Sequence, residues 1–164
     1  MYYSYGFYPH GYTPVQGSMT SGTDYGQNCL QSALQHIAEA VQGERNDELF
    51  YQYLISIAPT QEEKEIIASI RDDERKHNRM FRRIYREFTG QEVNIIEQEP
   101  FQKPRTYVDG IKRALFGELS AVERYRNIKR CLPQGMYRDM LFEIITDEIK
   151  HAAKYNYLFT LNKK

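Results

Sequence analysis

At 164 residues the chain is long enough for one domain with a sizeable buried core. Its 22 basic and 22 acidic residues cancel and no basic face stands out, which argues against nucleic acid as a partner. No apolar run approaches the roughly 18–20 residues of a membrane span, and no charged-then-apolar leader opens the chain, so the expected compartment is the cytoplasm.

Residues 1–24 read differently from the rest. Tyr2, Tyr3, Tyr5, Phe7, Tyr8 and Tyr12 are mixed with Gly, Pro and Ser and show no period. This is a low-complexity tail, either a sticky segment for assembly or docking, or a dispensable arm. Residues 25–164 carry the helical signal. A first helix is predicted from about Gln27 to Ala58, stopped by Pro59. Thr60, with Glu63 three residues on, opens a second helix through a capping box. That helix runs to about Phe88, where Gly90 suits its C-terminal cap.

Gln91 to Arg105, with Pro100 and Pro104, is too long for a tight turn and fits a crossover running the length of a bundle. The third helix is predicted from about Thr106 to Cys131, before Pro133. After the short turn at Gln134 and Gly135, the fourth runs to about Leu161. Two short turns around one long crossover give an all-α, ferritin-like four-helix bundle of two helical hairpins. Cys29 and Cys131 lie far apart and form no C-x-x-C, so they are expected as two reduced, partly buried thiols.

The chain repeats itself. Glu44, Glu74 and His77 recur as Glu118, Glu148 and His151, each displaced by 74 residues. Glu74 to His77 and Glu148 to His151 are both Glu-x-x-His, and each follows a lone Glu in Gly43-Glu44 or Gly117-Glu118. All six sit on apolar stripes of step three and four. Ile67, Ile70, Phe81 and Ile84 flank Glu74 and His77; Leu141, Ile144, Tyr155 and Leu158 flank Glu148 and His151. Such a stripe is the buried face of an amphipathic helix. A buried carboxylate must be neutralised, paired or metal-bound, and no Lys or Arg interrupts these stripes.

A Glu three residues before a His places both on one helix face, one turn apart. Glu74 and Glu148 are therefore expected to bridge two metal ions. Glu44 and His77 would complete one ion's shell, and Glu118 and His151 the other's. Carboxylate–imidazole ligation with open positions suits redox-active iron or manganese better than zinc. Tyr51 and Tyr125 each lie seven residues after the lone Glu, on the same stripe. Each is either a phenol that hydrogen-bonds a ligand carboxylate across the bundle or relays an electron, or a core aromatic with its hydroxyl satisfied. Asp47 and Glu48, matched by Ala121 and Val122, are expected to face solvent or an ion pair. Asp72, Asp73, Arg75, Lys76 and their neighbours are expected to form a solvated outer face with i,i+4 pairing. His36 is expected on the surface.

With these motifs in place, residues 30–160 resemble the rubrerythrin branch of the ferritin-like di-iron carboxylate proteins. The carrying features are Gly43-Glu44 with Tyr51, Glu74-x-x-His77, Gly117-Glu118 with Tyr125, and Glu148-x-x-His151. The resemblance implies two iron ions, with manganese as the alternative, and an oxidoreductase that reduces hydrogen peroxide or dioxygen. It also implies an external electron donor and a homo-oligomer, expected as a dimer. Two departures stand out. The rubredoxin-type module of rubrerythrins has no counterpart, since no C-x-x-C exists, and Ala121 stands where rubrerythrins tend to carry a further Glu. The alternatives are a ferroxidase or iron handler, a dimanganese catalase, and a structural assembly component whose metals stabilise the bundle.

Overall fold

The computed structural model describes residues 22–94 and 101–163. The tail falls almost wholly outside them. Four helices follow in order: α1 (Gly22–Ile57), α2 (Gln61–Thr89), α3 (Tyr107–Cys131) and α4 (Met136–Asn162). The described residues form an all-α four-helix bundle of the ferritin-like kind. Among them, no helix is long and apolar enough to cross a membrane.

Local signals set most helix ends. The Thr60 side chain accepts from the Glu63 backbone N–H at 3.2 Å, and Thr106 does the same for Asp109 at 3.1 Å, each satisfying one otherwise orphaned donor. Gly90 closes α2 in the left-handed conformation, φ 69°, and its N–H returns to the Arg86 carbonyl. α4 starts after Gly135 without a side-chain cap, and α1 starts at Gly22, five residues before the predicted Gln27.

α1 packs along α2 and α3 along α4, as two hairpins. The two hairpins approach closely at Gly110 near the start of α3. A Cβ there would lie 2.5 Å from the tip of the Leu54 side chain of α1 and 3.0 Å from Pro104, so a larger residue would need Leu54 to turn aside. At the other end of α1 the hairpins are tied covalently. Cys29 and Cys131 form a disulfide with Cα atoms 5.2 Å apart, closing a sequence separation of 102 residues. This corrects the expectation of two free thiols. Sequence distance hid the pairing, because the start of α1 meets the end of α3 only once α3 runs antiparallel to α1.

The apolar interior is split in two. One cluster gathers Leu34, Ile37, Val41, Phe81, Ile84, Tyr125, Ile128, Leu141 and Ile144. The other gathers Tyr51, Leu54, Ile67, Ile70, Ile111, Tyr155 and Leu158. Between them lies a polar layer.

Candidate metal centre

The polar layer is built from one or two residues of each helix. Glu44 comes from α1, Glu74 and His77 from α2, Glu118 from α3, and Glu148 and His151 from α4; each is at most 3% exposed. The 3.6-residue period sets them on the inner faces, and the 74-residue repeat brings the two sets to one level. Two groups with ligand atoms within 4.8 Å of one another result: Glu44, Glu74, His77 and Glu148, and Glu74, Glu118, Glu148 and His151. Glu74 and Glu148 belong to both.

The two imidazoles lie side by side with ring centroids 5.8 Å apart. His77 Nδ1 is 3.2 Å from Glu74 and 3.1 Å from Glu148. His151 Nδ1 is 3.1 Å from Glu74 and 3.5 Å from Glu148. The outer nitrogens are held crosswise between the hairpins. His77 Nε2 donates to Asp147 at 3.2 Å, and His151 Nε2 donates to Asp73 at 3.0 Å. A carboxylate can only accept, so each ring keeps a proton on Nε2 and turns Nδ1 toward the layer, which leaves Nδ1 as the nitrogen a metal ion would take in place of a proton.

The sequence reading missed both aspartates and assigned Asp73 to the solvated face. The signal was present: each stands directly before a Glu-x-x-His, and the pair obeys the 74-residue offset. Lys150 spans them, 2.6 Å from Asp147 and 3.3 Å from Asp73. Against the burial that would raise them, the histidine and Lys150 hold both carboxyls below their usual range. The outer charges of α2 also pair across helices rather than only along one: Arg75 meets Glu48 at 2.8 Å, and Lys76 meets Glu143.

Tyr51 and Tyr125 make the cross-bundle hydrogen bonds. Tyr51 donates to Glu118 Oε1 at 2.6 Å, and Tyr125 donates to Glu44 Oε1 at 2.5 Å. Both phenols are pushed well above their ordinary range, by burial first and then by the charges of Glu118 and Glu44, respectively. They remain donors. Of the two acids one turn past Glu44, only Glu48 behaves as expected, pairing with Arg45 and Arg75. Asp47 is partly buried, and burial together with Glu44 and Glu148 raises its carboxyl to about 7. His36 is exposed, with Nδ1 3.0 Å from Glu39.

Without an ion, the layer is charge-balanced by its own histidines. Burial works against their protonation, but the carboxylates of Glu148 and Glu44 outweigh it and raise His77 to about 10. Glu118 and Glu148 raise His151 to about 9 in the same way. Burial and the neighbouring carboxylates raise Glu74, and burial raises Glu118. Burial also pushes Glu148 up, but the two histidines outweigh it and hold this carboxyl down. The arrangement still leaves Glu44 Oε2, Glu74 Oε1, Glu148 Oε1 and His151 Nδ1 buried without a hydrogen-bond partner. Three carboxylate oxygens and one imidazole nitrogen converging on one buried space form a donor set that fits divalent ions in place of the histidine protons.

Residues 36–110 match the Rubrerythrin family model. Over those residues the chain is similar to the rubrerythrins. The match takes in Glu44, Tyr51, Glu74 and His77 but stops at the start of α3. The second half of the layer, Glu118, Tyr125, Glu148 and His151, is tied to the first by the internal repeat. Neither the comparison with curated proteins nor that with solved structures found a significant match.

Proposed function

We propose that this protein is a di-iron oxidoreductase that reduces hydrogen peroxide or dioxygen. The observation that carries the reading is the pair of buried ligand groups that share Glu74 and Glu148. In this reading Glu74 and Glu148 would be shared by the two ions, Glu44 and His77 would hold one, and Glu118 and His151 would hold the other. Two ferrous ions so held would supply the two electrons that cleave an O–O bond; this chemistry belongs to the metal. Iron or manganese satisfies the oxygen-rich donor set.

The protein's own part is positional. Asp73 and Asp147 fix the imidazole tautomer and orientation, and Tyr51 and Tyr125 fix one oxygen of each lone glutamate. The two apolar clusters on either side exclude water. The electron donor in this reading is a separate molecule, and the protein works as a dimer. Its compartment in this reading is the cytoplasm, although the Cys29–Cys131 disulfide favours an oxidising setting.

The test is anaerobic loading with two equivalents of ferrous iron, followed by stopped-flow absorbance on mixing with peroxide. The expected result is rapid oxidation of two irons per peroxide, with turnover when a reductant is added. Growth of a ferric core well beyond two irons per chain would favour an iron handler instead. Metal-dependent melting with no redox reaction would favour a structural role. Elemental analysis of protein from its native source separates iron from manganese.

A further inference from the structure

The repeat makes each hairpin a control for the other. Around the polar layer it preserves the six candidate ligands, both tyrosines and both aspartates that hold the histidines. It breaks at two inward-facing positions. One turn past His77 stands Phe81, and one turn past His151 stands Tyr155. One turn past Glu44 stands Asp47, and one turn past Glu118 stands Ala121. Both polar members fall on the Tyr51 side of the layer.

The aromatic pairs show what the break adds. Phe81 packs on Tyr125 with ring centroids 4.9 Å apart, and Tyr155 packs on Tyr51 at 5.3 Å. Phe81 and Tyr155 are both fully buried. The pairs differ by one hydroxyl, and that hydroxyl is buried without a hydrogen-bond partner. An unpaired buried hydroxyl is unfavourable, and phenylalanine fills the same volume without it, as position 81 shows.

Side chains on a helix lean toward its N-terminus, so the Tyr155 phenol leans back over His151 and the layer. Burial, followed by the charges of Glu118, Glu74 and Asp47, keeps its proton on. Tyr155 is thus a hydrogen-bond donor beside the layer with nothing to donate to. Asp47 adds a second polar group on this side, where Ala121 offers none on the other.

We propose that Tyr155 is a substrate-positioning residue, whose hydroxyl donates to a small oxygen ligand or its anionic mimic on the Tyr51 side of the layer. The side that Phe81 lines is closed to that ligand by its apolar surface. This inference rests on the oxidoreductase reading, and it names the side of the site where peroxide or dioxygen sits. No electron is assigned to Tyr155; it holds the ligand and remains a phenol.

The test uses azide as the probe. Iron-loaded, oxidised full-length protein is titrated with azide and its charge-transfer absorbance is followed, in wild type and in Tyr155→Phe. The expected result is an equal iron content and azide affinity weakened about tenfold, the effect of one hydrogen bond to a charged ligand. A second readout needs no metal: apo Tyr155→Phe should melt at or above the wild-type temperature, because the change removes an unpaired hydroxyl. Unchanged azide affinity, no azide uptake by the wild type, or a clearly lower apo melting temperature would each overturn the proposal. Weakened azide binding in a protein that does not reduce peroxide would leave this assignment standing while the oxidoreductase reading falls.

Discussion

The Tyr51 hydroxyl on α1 reaches across the bundle to Glu118 on α3, and Tyr125 on α3 returns the same bond to Glu44 on α1. The two bonds are exchanged by the internal twofold. Together with Gly110 and the disulfide, they fix how the two hairpins face each other.

Removing either phenol should therefore weaken the bundle and the site together. Tyr51→Phe leaves one Glu118 oxygen buried without its donor. The expected cost is about 1–3 kcal/mol in the metal-free protein, read by urea denaturation. Tyr125→Phe should act alike through Glu44. A wild-type unfolding curve for both variants would show that these bonds contribute nothing net.

The crosswise aspartates make a separate prediction for metal affinity. Asp147→Asn should weaken chiefly the ion held with His77, and Asp73→Asn the ion held with His151. Partners of this kind are typically worth about 10–100-fold in affinity. Competition with a chelator measures each step. Equal loss of both ions in each variant would contradict the assignment of one histidine to one ion.

The metal-free protein should lose stability as the solution becomes alkaline. His77 and His151 titrate near 6.5 when unfolded but at about 10 and about 9 when folded. Between these limits the folded state binds more protons, so stability falls with rising pH. The contribution is fully present below about pH 6.5 and gone above about pH 10. Metal binding replaces those protons, so the loaded protein should show a flatter curve. Thermal melting of both forms from about pH 6 to 10 checks this; parallel curves would mean that the histidines are not the layer's counter-charges.

Reduction of Cys29–Cys131 should destabilise the chain without emptying the site. For a loop of ~100 residues, the chain-entropy account gives about 4.7 kcal/mol as the scale of the effect. The Cys29→Ala, Cys131→Ala protein should unfold at lower urea yet bind the same number of ions, because the disulfide lies away from the six ligands. Loss of metal in that variant would show that the tie positions the layer.

The four helices and the six candidate ligands were legible along the chain, the start of α1 excepted. An amphipathic period is local information, and a repeat of 74 residues carries that information into three dimensions, because two copies of one hairpin pack about a twofold axis. Tertiary structure alone decided what depends on meetings across the bundle. Asp73 and Asp147 look like surface acids along their own helices, but each lies at the seam where it reaches the other helix's histidine. Cys29 and Cys131 carry no mark of their pairing until α1 and α3 run antiparallel. Asp47 and Glu48 are chain neighbours with opposite fates, because one residue is 100° of helical turn, enough to send one acid inward and the other to Arg45 and Arg75. Charge on a side chain can be read from the sequence. Which partner neutralises it depends on the angle between two helices, and only the packed bundle sets that angle.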